Sequence, residues 1–95
     1  MREVYVVSLT NTRKAEEALK KDDLVGRQSI FVRGAQSLGM KGENYIIIDG
    51  SEVALKKADE LLKGLAEKAK NKDEILKKFD EIENQSASGL GSIFG

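Results

Sequence analysis

Ninety-five residues without a cysteine, histidine, tryptophan or proline exclude thiolate catalysis, disulfide frameworks, zinc-finger sites and histidine acid/base chemistry. Sixteen basic and sixteen acidic side chains cancel, so no global field gathers nucleic acid or an anionic membrane around the molecule. The length fits one small domain, and the longest apolar runs, residues 45–48 among them, are far short of the roughly 20 residues of a membrane span.

In chain order, residues 3–9, EVYVVSL, form a nearly continuous β-branched run that predicts a strand buried on both faces. Asn11 or Thr12 is placed to cap a short amphipathic helix with Ala15, Ala18 and Leu19 on its apolar stripe. Asp22 and Asp23 end that pattern. Residues 28–33, QSIFVR, then alternate, with Ile30 and Val32 on one side and Ser29, Phe31 and Arg33 on a wetter one. A glycine-rich loop leads to a third strand at 45–49, YIIID, and the two strands are expected to make an antiparallel hairpin.

Gly50 and Ser51 end this strand and open the longest apolar helical pattern, with Ala54, Leu55, Ala58, Leu61, Leu62, Leu65 and Ala69 at three- and four-residue spacing. Asn71 followed by Glu74 has the form of a capping box for a further helix carrying Ile75, Leu76, Phe79 and Ile82. The sum is an α+β domain over 1–84, strand-helix-strand-strand-helix-helix. The expected architecture is a two-layer sandwich of the split β-α-β, ferredoxin-like kind that lacks the fourth strand. Such a sheet would have an open edge or a bare second face, because the helices cover one face only. Residues 85–95, QSASGLGSIFG, are expected to be a flexible tail.

Residues 44–65 resemble the closing strand and helix of KH-type RNA-binding domains, and also the strand-to-helix corner of many ferredoxin-like modules. The likeness covers under a quarter of the chain. KH domains place a GxxG loop between two helices, whereas Gly39-Met40-Lys41-Gly42 lies directly before a strand. The RNA-clamping role is therefore not carried over, and the turn chemistry of an Asp-Gly-Ser corner accounts for the residues.

Among candidate sites, the 33–42 loop combines backbone amides made accessible by Gly34, Gly39 and Gly42 with the charges of Arg33 and Lys41. Arg27 adds to this basic hairpin region, and Phe31 or Tyr45 would be a stacking surface for single-stranded RNA. Asp49, Ser51 and Glu52 read as a helix cap in preference to a metal site. Leu90, Ile93 and Phe94 form an apolar triplet on the tail, suited to a groove on a partner. The glycine pattern around them lacks the flanking strand and helix of a dinucleotide site.

The functional expectation is a non-catalytic interaction or scaffolding module that associates with itself or another protein, without cofactor, metal or membrane. RNA or nucleotide binding by the basic glycine-rich loop is the alternative. With no apolar signal core at the N-terminus, a cytoplasmic location is expected, and the Lys- and Glu-rich composition is that of thermophile proteins.

Overall fold

The computed structural model describes the backbone of residues 1–94 and the side chains of residues 1–84. The first β-branched run forms β1 (Arg2–Val7), and the alanine and leucine stripe behind it forms α1 (Thr12–Lys21). Asp22 reverses the chain there, its carboxylate accepting from the Leu24 and Val25 amides at 3.0 and 2.9 Å. A 3-10 turn at Val25–Arg27 leads into β2 (Ser29–Gly34), and a second one at Ala35–Leu38 opens the loop to β3 (Asn44–Asp49). The Ser51 hydroxyl accepts from the Ala54 amide at 3.2 Å and caps α2 (Glu52–Leu61). β4 (Ala66–Lys68) and α3 (Lys72–Phe94) complete the order.

The four strands form one sheet in the order β2-β3-β1-β4, with every neighbouring pair antiparallel. The hairpin of β2 and β3 is as expected, from Ser29 opposite Asp49 to Gly34 opposite Asn44. Strand alternation divides the core in two. Tyr5, Val7, Ile46 and Ile48 face Ala15 and Leu19 of α1 and Leu55 and Ala58 of α2. Val4, Tyr45 and Ile47 face Ile75, Leu76 and Phe79 of α3, with Ala35 and Leu38 of the 3-10 turn beside them.

This arrangement corrects the sequence reading in two respects. The sheet has helices on both faces and is not a two-layer sandwich, since α3 covers the face expected to be bare. The fourth strand also exists, paired to β1 with Tyr5 opposite Lys68 and Val7 opposite Ala66. It was hidden inside the second helical pattern. Leu62, Leu65 and Ala66 pack on the same cluster as Leu55 and Ala58, so their spacing looks helical, yet Gly64 at φ 80° lets the chain leave the helix. Ala69 then donates to the Val4 carbonyl at 2.9 Å and extends the new ladder.

The tail expectation for 85–95, including contact through Leu90, Ile93 and Phe94, concerns side chains outside the described residues. Among the described residues no helix is long and apolar enough to cross a membrane.

Candidate functional site

The glycine-rich loop does not gather its candidate residues around one cavity. Gly34 and Gly42 line a groove of about 260 Å³ with Leu9, Gln36, Glu43 and Asn44, none of them basic. Lys41 lines a different groove of about 330 Å³ beside Val6, Tyr45, Glu67 and Lys70. Gly39 sits at φ 69° as the left-handed cap of the Ala35–Leu38 turn, its amide bonded to the Gln36 carbonyl at 3.1 Å. That turn buries Ala35 and Leu38 in the α3-side core, so the first half of the loop is anchored packing. Arg27 lies before β2, a strand length of about 17 Å from the loop that follows it.

The proposed stacking residues are engaged within the chain. The Phe31 ring lies 5.1 Å from that of Phe79 at 53°, and the Arg33 guanidinium is 5.6 Å from both ring centroids. Arg33 also pairs with Glu83 at 3.3 Å and donates to the Val32 carbonyl at 2.9 Å. Tyr45 is buried and donates its hydroxyl proton to the Lys41 carbonyl at 3.1 Å. Of the aromatic surface that a single strand would need, Tyr45 is buried and Phe31 is half-buried against Phe79 of α3.

The outer side of β2 is different. The Ala35 amide donates to the Glu43 carbonyl at 3.0 Å, one pair beyond Gly34 and Asn44 in the same register. Hydrogen-bonded and non-bonded pairs alternate along an antiparallel ladder. Ser29, Phe31 and Arg33 therefore exchange bonds with β3, and Ile30, Val32 and Gly34 direct their N–H and C=O groups outward. Two contacts agree with this assignment: the Val32 carbonyl accepts from Arg33, and the Gly34 carbonyl accepts from the Ser37 hydroxyl at 2.7 Å.

No strand among the described residues pairs with this side. Natural edge strands are shielded by shortness, charged side chains, proline, a bulge or a covering loop. β2 has six residues in unbroken register and no proline; its shielding is partial, Arg33 covering the Val32 carbonyl and Ser37 that of Gly34. The opposite edge is shielded: β4 has three residues and exposes Glu67 and Lys68.

Sequence reading found the β2 alternation and Phe31 and Arg33 but missed the outward groups, since edge position depends on the strand order of the whole sheet. It also missed a polar network on the far side. Buried Tyr5 donates to Asp59, which is 3.1 Å from Lys68, while Glu3 lies 3.9 Å from both Lys68 and Lys72. Burial first, and the Asp59 bond second, push the Tyr5 phenol well above its ordinary value. Among the described residues no group of three or more metal-ligating side chains comes together.

These features define an antiparallel α+β domain with both sheet faces covered and one long edge unpaired. Comparison with known proteins gives no match to a family model, a curated protein or a solved structure.

Proposed function

We propose that this chain is a non-catalytic protein-interaction module that takes up an extended segment on the open edge of β2. The observation that carries the reading is the outward set of backbone groups at Ile30, Val32 and Gly34 on a six-residue strand in unbroken register, whose outward N–H groups bond to nothing among the described residues. Strand addition draws its affinity from such main-chain groups and its selectivity from alternate side chains. Half-buried Ile30 and Val32 on one face and Phe31 on the other favour an apolar, weakly charged segment. The β-α-β-β-α-β order and the β4-β1-β3-β2 sheet support a ferredoxin-like reading of the domain, extended by α3.

RNA or nucleotide binding is the weaker reading, because Phe31 and Arg33 are already committed to Phe79 and Glu83. One titration separates the two. A fluorescein-labelled extended peptide of alternating valine and threonine should show a saturable rise in anisotropy with added protein, competed by the unlabelled peptide and not by a copy N-methylated at its valines. No rise with the peptide, or a salt-sensitive rise with a labelled single-stranded RNA in its place, overturns the proposal.

A further inference from the structure

We infer that the segment received at β2 is the β2 strand of a second copy of this chain, paired antiparallel about a two-fold axis at Val32. The inference rests on the strand-addition reading above and goes further by fixing the partner and the register. Ile30, Val32 and Gly34 are spaced symmetrically about Val32, so Val32 meets its own counterpart and Ile30 meets the second copy's Gly34. Every outward-directed residue then faces another, and each pair can exchange two ladder bonds. The Arg33 and Ser37 contacts do not prevent this, since a carbonyl oxygen has a second lone pair.

Charge is compatible with self-pairing. Arg33 is the one charged residue of β2, and in this register it stands opposite Phe31 of the second copy instead of another arginine. Its charge is already balanced by Glu83 at 3.3 Å. The whole chain is formally neutral, so two copies approach without net repulsion.

An axis normal to the sheet keeps like faces together. The Ile30 and Val32 rims of the α1/α2-side core would then join across the pair. Pairing of β2 with β4 of the next copy would be head-to-tail and would grow filaments. The short, charged β4 edge opposes that, leaving a closed dimer as the product.

The absence of native cysteine makes the register directly testable. Val32→Cys places two thiols in a hydrogen-bonded pair, about 5.5 Å between Cα atoms and within disulfide reach. Ser29→Cys supplies an exposed thiol about 20 Å from its counterpart in this register, a control for random collision. Sedimentation equilibrium and amide exchange are measured on the unmodified chain, and circular dichroism verifies that both variants fold.

The expected result is a dimer with slowed exchange at Ile30, Val32 and Gly34 and oxidative cross-linking of Val32→Cys at least about tenfold faster than Ser29→Cys, one decade being a 1.4 kcal/mol discrimination. A monomer up to millimolar concentration, with those amides exchanging freely, overturns self-pairing and leaves the peptide titration to decide strand addition. A dimer that leaves those amides unprotected forms through another surface and overturns this inference, the peptide titration again deciding strand addition. A dimer with them protected that cross-links through Ser29→Cys as fast as through Val32→Cys overturns the register proposed here.

Discussion

Tyr5 reaches from β1 to α2, and its phenol proton is held against Asp59 with Lys68 on the carboxylate's other side. The unfolded chain releases a tyrosine proton above about pH 10, whereas the folded chain holds this one. More protons are then bound in the folded state, so stability is full below that pH and falls as pH rises past it. Lys68, raised by its bond to Asp59, acts in the same direction. Thermal unfolding should therefore hold steady from neutral pH and decline above about pH 10. Tyr5→Phe should flatten the decline while costing about 1.5 kcal/mol at neutral pH.

Two glycines separate rigid from yielding surroundings. A Cβ at Gly26 would stand 2.7 Å from the Lys20 carbonyl oxygen, and backbone at the end of α1 cannot swing aside. At Gly50 the obstacle is the end of the Gln28 side chain, which can. In urea denaturation Gly26→Ala should lose about 1–3 kcal/mol and Gly50→Ala less than about 1 kcal/mol. Neither difference is legible in sequence, because both neighbours are set by how the turn after α1 folds back.

Among elements, α3 is held by apolar packing and positioned by charge. Ile75, Leu76 and Phe79 enter the second core, while the Asp80 carboxylate accepts from both terminal guanidinium nitrogens of Arg2 at 2.6 and 3.1 Å and Glu83 pairs with Arg33. Half-exposed pairs of this kind contribute at most about 1 kcal/mol each. Phe79→Ala should cost about 3–4 kcal/mol and open the Phe31 face, measured by denaturation and by a rise in dye binding to exposed apolar surface. A variant that melts like the parent would mean that α3 contributes little to the fold.

The helical spacing of Ile75, Leu76, Phe79 and Ile82 marked this helix in the sequence, but its destination was not marked. Continuous apolar strands 1 and 3 did require cover on two faces. β4 was the least legible element, because Ala66, Glu67 and Lys68 have weak strand preference and pair only because β1 has a vacant side. The candidate site divides in the same way: local alternation disclosed β2, while the strand order that leaves it unpaired is a long-range outcome.

For the whole molecule, the two-sided sheet has a consequence for alignment. In β1, Val4 and Val6 alternate with Tyr5 and Val7, and both sets are apolar. A slip of one residue against β3 would exchange the faces and still bury hydrocarbon at nearly every position, so water exclusion alone discriminates poorly between the two alignments. The groups that accept only one are the polar ones: Arg2 finds Asp80 and Tyr5 finds Asp59 solely in the observed setting.

Replacing both, as Arg2→Met with Tyr5→Phe, should give a second set of β1 and β3 amide resonances in slow exchange. A single sharp set would assign the choice of alignment to the turns. These contacts then serve the fold less as adhesive than as an address, and their loss would be read in the number of native states before it was read in melting temperature.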